Sequence, residues 1–297
     1  MKLVRLLLVA GMTGLFAMPG AALAALKVVA STNDLASIAA SVGGTAIEVS
    51  SIAKPGSDVH RVEVLPSSMV RVSKATLYLK VGLGLDQWAD GIIDGSRNPK
   101  IKIVDCSQGV TILEKPSSVS AAQGDVHPFG NPHYWLDPRN GGIVAGTIAD
   151  AFAAADPAHA ADFRARAAAF DKECQAAWQK SKDALASLPV RQILTYHRSF
   201  PYFANAFDLE VLGTVEPVPG IPPTGKHLAE LVEIVKARKV GLLLQEPYFS
   251  DDAGKFLTRE TGIRVTKAAP SCDGPTAGSY LAHFADITRA ITGGTTP

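Results

Sequence analysis

The residues Asn131-Pro132-His133-Tyr134-Trp135-Leu136-Asp137-Pro138 hold one imidazole between two prolines and beside two large aromatics. Each proline fixes its own φ and pushes the preceding residue toward extended backbone, so His133 is expected in a stiff, non-helical segment suited to a ligand. A lone loop histidine is more often a surface residue. Here two further histidines, His60 and His197, and one carboxylate, Asp273, fall in comparable loop positions, each expected just after a strand. Three imidazoles and one carboxylate make a zinc-type ligand set, able to close a tetrahedron around Zn(II).

The remaining histidines divide in two. His127, together with Asp125, lies in the irregular stretch between Gln108 and Asn131, where breakers such as Lys115-Pro116-Ser117-Ser118 interrupt the pattern; both residues are candidates for an accessory metal contact. His159, His227 and His283 fall in helical stretches, where surface or helix-terminus roles suffice. Three cysteines, Cys106, Cys174 and Cys272, allow at most one internal disulfide and have no CxxC spacing. Cys272 directly precedes Asp273, so its thiolate is a conceivable competitor for a metal, although a disulfide or a buried thiol explains it as well.

The elements that must position these side chains begin after residue 24. Lys2 and Arg5, the apolar run Leu6 to Phe16 and the small-x-small triplet Ala22-Leu23-Ala24 read as a secretory signal, with Ala25 the first mature residue. The apolar run is too short and too broken by glycine and proline for a membrane anchor, and no cysteine follows the cleavage site to carry a lipid. A periplasmic protein is expected. Cleavage removes two cations and moves the net charge from +1 to −1, a balance that gives no reason to expect nucleic acid or an anionic membrane as partner.

From Ala25 onward, apolar strands alternate with amphipathic helices, the pattern of a mainly parallel sheet covered on both faces. Four strands are expected before a long helical run, Pro157 to Leu188, and four after it. Phe163, Ala167, Phe170, Cys174, Trp178 and Leu185 recur in that run at helical spacing, as in a strut between two lobes. The expected fold is α/β: two lobes, each with a four-stranded mainly parallel sheet flanked by helices, joined by a long rigid helix. Residues 25–140 would form the N-terminal metal-binding lobe, 141–188 the helical linker and 189–297 the C-terminal metal-binding lobe. Ligands in such sheets bind beyond the carboxyl ends of the strands, so each lobe would offer two ligands to one cleft.

On these motifs the chain resembles the cluster A-I family of metal-binding proteins, the zinc and manganese solute-binding components of ABC importers, over essentially all of its mature length. Gly56-Ser57-Asp58-Val59-His60 is similar to the family's Gly-x-Asp-Pro-His, with Val59 in place of the proline. Residues 131–138 match its Asp/Asn-Pro-His-x-Trp-Leu-Asp-Pro closely, and Tyr196-His197-Arg198-Ser199-Phe200 resembles its third segment. Asp273 falls where the family carries an acid before the final helix. The resemblance implies a monomeric, non-enzymatic receptor that delivers Zn(II) to an ABC membrane permease, with a periplasmic metallochaperone as a further partner.

Manganese-selective members tend to place a carboxylate where this chain has His197, which favours zinc over the alternative of a manganese-binding homologue. A zinc-dependent hydrolase is the other alternative, since three histidines and an open position would serve one. It would need a general base beside a bound water, and HExxH is absent.

Overall fold

The computed structural model describes residues 25–117 and 127–293. The expected signal, residues 1–24, and Asp125 lie outside the described residues. The first lobe contains β1 (Leu26–Ala30), α1 (Asn33–Gly43), β2 (Ile47–Ser51), α2 (Pro66–Ser73), β3 (Leu77–Lys80), α3 (Trp88–Ser96) and β4 (Lys102–Asp105). The helices α4 (Pro138–Ala155) and α5 (Ala160–Ala186) follow. The second lobe contains β5 (Gln192–Thr195), α6 (Pro201–Ala206), β6 (Glu210–Thr214), α7 (Gly225–Arg238), β7 (Leu242–Gln245), α8 (Asp252–Thr261), β8 (Arg264–Lys267) and α9 (Ser279–Thr292).

Every strand pair is parallel, and the two sheets have the same order one register of four apart: β2-β1-β3-β4 and β6-β5-β7-β8. The doubling sensed in the alternation of elements is therefore a doubling of topology. Parallel strands need crossover helices, and those helices bury both faces of each sheet. Val28, Ala30, Leu77 and Leu79 fill one face of the first sheet, and Val29 and Tyr78 the other.

The helix that links the lobes, α5, has 27 residues and spans about 40 Å. It packs along α4 and also against α1 and α9. Two adjacent glycines let α4 approach so closely: a Cβ on Gly141 would strike the Tyr280 ring, and one on Gly142 would strike Asp171. One continuous apolar core runs through the middle of the molecule, joining Trp135, Phe152 and Phe163 to Phe200, Phe203 and Tyr280. Burying such large side chains removes about 25 cal/mol of unfavourable hydration per Å2 of apolar surface, which ties the lobes to a common frame.

Candidate metal centre

Three imidazoles meet where the lobes face each other. The ligand atoms of His60, His133 and His197 all lie within 4.8 Å of one another, and no other group of this kind occurs among the described residues. The ring centroids are 5.1 Å apart for His60 and His133, 5.1 Å for His60 and His197, and 5.9 Å for His133 and His197. A metal held at 2.0–2.1 Å by tetrahedral nitrogens sets neighbouring imidazole centroids about 5 Å apart, so the three rings already stand near ligand spacing.

The two histidines of the first lobe are held by the same local device. Asp58 Oδ1 accepts from the backbone N–H of His60 at 2.9 Å and lies 2.9 Å from its Nδ1. Asn131 Oδ1 accepts from the backbone N–H of His133 at 3.0 Å and lies 3.0 Å from its Nδ1. Each is an Asx-type turn closed over two residues. An atom that accepts a main-chain N–H is an oxygen, so both Nδ1 atoms are the protonated donors. The lone pair of each neutral ring then resides on Nε2. Both Nε2 atoms are buried without a hydrogen-bond partner, an arrangement that ordinarily carries a desolvation penalty and points to a missing electrophile.

Further contacts fix these turns in the lobe. Trp88 Nε1 donates to Val59 O at 3.0 Å, and buried Val59 occupies the place of the resembled family's proline. Asn131 Nδ2 donates to Arg198 O at 2.8 Å. Downstream of His133, residues Tyr134–Leu136 make one 3-10 turn; Asp137 then caps α4 by accepting from Arg139 N, with Pro138 at the first helical position. The motif is thus a stiff turn followed by a capped helix. His133 follows no strand directly, since β4 ends at Asp105, and it stands just ahead of α4, where the first lobe closes.

His197 is held by tertiary structure instead. It follows β5, and the parallel pairing continues past the strands: Val215 N donates to Thr195 O at 2.9 Å and Glu216 N to Tyr196 O at 2.9 Å. This brings Glu216 Oε2 to 2.7 Å from His197 Nδ1. Glu246, at the end of β7, accepts from Ser199 Oγ at 2.6 Å, while its Oε2 is buried and unpartnered.

Protonation follows from these surroundings. Burial, reinforced by the neighbouring His60 and His197, holds His133 well below the ordinary histidine range. Burial also disfavours the charged form of His197, but the Glu216 bond and the nearby Glu246 and Asp58 outweigh it and raise its pKa. Burial pushes Glu246 up to about 7, against the opposing bond from Ser199. For Asp58, burial acts upward but is overcome by the bonds to His60, and its pKa is lowered.

Asp273 stands apart: it is exposed on the loop between β8 and α9 and outside the histidine group. The first lobe thus contributes two members of the group and the second lobe one. His127 lies beside the group, its ring centroid 5.3 Å from that of His60 and 6.4 Å from that of His133. All three cysteines are free and buried, and Cys272 Sγ is directed at Gly274 O, 3.4 Å away. His283, expected in a surface or helix-end role, is buried in α9 with Nε2 unpartnered.

Three residues that matter here were not singled out from sequence. Asn131 and Asp58 could have been found from the repeated Asx-x-His spacing. Glu216 could not, because only the pairing of β5 with β6 brings it to His197.

A two-lobed, doubly repeated α/β frame with three imidazoles gathered between the lobes, two of them with buried, unpartnered Nε2 atoms, defines a metal-binding protein of the substrate-binding type. Residues 28–294 match the ZnuA family, described as zinc-uptake complex component A, periplasmic, and the chain belongs to that family. The iron-binding protein YfeA of Yersinia pestis is 26% identical over 244 residues, covering 80% of this chain and 75% of that protein. The manganese ABC transporter substrate-binding lipoprotein PsaA of Streptococcus pneumoniae is 26% identical over 247 residues, covering 81% and 78%. A crystal structure of ZnuA superposes with a TM-score of 0.79 at 25% identity, covering 91% of this chain and 98% of that one. These relatives are binding proteins of metal transporters rather than enzymes, and the hydrolase alternative draws no support from them. Among the described residues, no helix is long and apolar enough to cross a membrane.

Proposed function

We propose that this protein is a periplasmic Zn(II) receptor that captures the ion through Nε2 of His60, His133 and His197 and delivers it to an ABC-type membrane permease. The observation that carries this reading is the shared orientation of the three rings: each Nδ1 is engaged by a side-chain oxygen, and the Nε2 atoms of His60 and His133 are buried without partners. Ligating histidines characteristically donate their other ring N–H to such oxygens, which fixes the tautomer and raises ligand basicity.

Zinc is favoured over manganese because neutral imidazole nitrogens suit zinc, whereas carboxylate oxygens suit harder ions. The relatives are named for iron and manganese as well as zinc, so the choice rests on this chain's donors. Competitive chelator titration of the mature chain should give one zinc bound per molecule and a clear preference over Mn(II). Equal affinity for the two ions would defeat the zinc assignment, and unchanged zinc affinity in all three His→Ala variants would defeat the site.

The proton is the natural competitor. Because the pKa of His197 is raised, its imidazole is the member of the group that a falling pH protonates ahead of His133. Affinity should rise with pH until it passes the raised pKa of His197 and then level off. A dissociation constant flat between about pH 5 and 7.5 would contradict histidine ligation.

A further inference from the structure

We infer that the first lobe carries a second binding site, separate from the histidines, for a small organic anion bearing two or more carboxylates. This goes beyond the receptor reading and does not depend on it. The site is a cavity of about 550 Å3 at the carboxyl end of β2, bordered by the loop that follows that strand, by α2, and by Pro275 of the second lobe. Ligands of open parallel sheets bind beyond the carboxyl ends of the strands, and the volume suits a small molecule. None of His60, His133 and His197 lines it, although Arg61 borders both this cavity and the space in front of His60 and His197.

The lining is rich in donors and poor in acceptors. Lys54, Arg61 and Arg71 supply three cations against one carboxylate, Glu63. Arg71 donates from Nη1 to Ser51 O at 2.7 Å and from Nη2 to Ser68 Oγ at 3.2 Å, so neutral groups fix the guanidinium and leave its charge uncompensated. Among the described residues neither Arg71 nor Lys54 has a carboxylate partner, and Arg61 reaches Asp58 only at 3.9 Å. Asn33 points most directly to a ligand. It is 2% exposed, its Oδ1 accepts from Ser51 Oγ, and its Nδ2 donates to no protein group where the side chain borders the cavity. An amide N–H so placed carries a desolvation penalty unless something in the cavity accepts from it. The start of α2 adds to this. It has no side-chain cap and no acidic residue in its first turn, and Ser67 and Ser68 line the cavity there, so the positive end of the helix is left for an anion.

The spread of the charges selects the kind of anion. Lys54 and Arg61 come from the loop after β2 and Arg71 from α2, so the cations stand on separate elements. Phosphate or sulfate presents one compact centre, whereas a polycarboxylate presents separated groups that can each take a charge-assisted hydrogen bond. The wall from the second lobe is fixed by a clasp on α1. Asp34, fully buried next to Asn33, accepts from Ser271 Oγ and from Cys272 N, the latter at 3.0 Å, and Ser37 Oγ donates to Thr276 O at 2.7 Å. Pro275 lies between these tied positions, so the cavity is formed in advance of any ligand.

Calorimetric titration of citrate into the metal-free mature chain tests the site, with inorganic phosphate and sulfate as comparison anions. One citrate per chain is expected, with a Kd below about 1 mM that rises with added salt. Lys54→Gln and Arg71→Gln should each weaken citrate binding about tenfold, as for loss of one hydrogen bond to a charged group. Lys255→Gln, which removes the same charge from α8 in the second lobe, should leave it within about twofold. Arg71 also bonds Ser51 and Ser68, so thermal unfolding accompanies that variant; exposed Lys54 makes no such bond, and Lys54→Gln decides the case alone. No citrate binding up to about 10 mM, phosphate binding as tightly as citrate, unchanged binding in Lys54→Gln, or an equal loss in Lys255→Gln would each overturn the inference. The receptor reading fails by a different result, no zinc binding by the unaltered chain, so the two failures are distinguishable.

Discussion

The two lobes share one topology yet aim their imidazoles by different means. In the first lobe, His60 and His133 are each oriented by a residue two positions earlier, through an Asx turn that also binds the histidine's own main chain. In the second lobe, His197 is oriented by Glu216, nineteen residues away and adjacent only because β6 lies beside β5. The contrast extends to protonation: buried His133 is held well below the ordinary range, while His197, backed by buried carboxylates, is raised. One half of the site is a local device carried by its own loop; the other depends on a sheet being assembled. A receptor built this way has a stiff half, able to present nitrogens as soon as the loop is formed, and a half whose readiness depends on tertiary structure and pH.

The largest expected effect falls equally on both lobes. Structural zinc sites with four ligands bind with about 10–16 kcal/mol, so deleting one imidazole as His133→Ala or His197→Ala should weaken binding by on the order of 3 kcal/mol or more, read by competitive titration. A loss confined to one lobe's histidines would break the two-lobed site.

Next comes a stability effect peculiar to the second lobe. Glu246 has a folded pKa of about 7 against 4.5 for the free group, so the folded state holds more protons between these values. Its contribution is therefore full below about pH 4.5 and is lost as pH rises through about 7, by up to about 3 kcal/mol at 1.36 kcal/mol per unit. Metal-free Glu246→Gln should lose less stability than the unaltered protein between pH 5 and 8 in denaturant titrations. An identical pH profile would contradict a buried, proton-holding Glu246.

The contrast between orienting devices gives the smaller effects. Removing the acceptor behind an imidazole, as Glu216→Ala or Asn131→Ala, should lower zinc affinity about 10–100-fold. Asp58→Asn should do less, below about tenfold, because asparagine already performs the same turn at Asn131 and only charge is lost. If Asp58→Asn were as damaging as Asp58→Ala, the orienting role would belong to charge and not to the turn.

What could be read from the sequence tracks the same division. The alternation of short apolar runs with amphipathic helices locates the strands, the linking helix and both sheets, because parallel sheets buried on both faces leave a strong apolar signal. The stiffness around His133 is legible in Pro132 and Pro138, and Asp137 followed by Pro138 is a legible helix start. Glu216 and Glu246 are not legible, since nothing in their local sequence relates them to His197; the strand order does. Asp273 was reached from its position before the final helix, but the clasp on Asp34 that fixes its loop joins residues more than two hundred positions apart. His283 shows the same blindness: helical spacing places it in α9 without revealing that its ring is buried.

The central claim is that one ion is held by Nε2 of His60, His133 and His197 between the lobes. Anomalous diffraction at the zinc edge from crystals of the loaded protein tests it most directly. A single strong peak is expected at about 2.0–2.1 Å from all three Nε2 atoms, with each Nδ1 still bonded to Asp58, Asn131 or Glu216. A peak bonded to any of those Nδ1 atoms, or one lying away from the three rings, would contradict it.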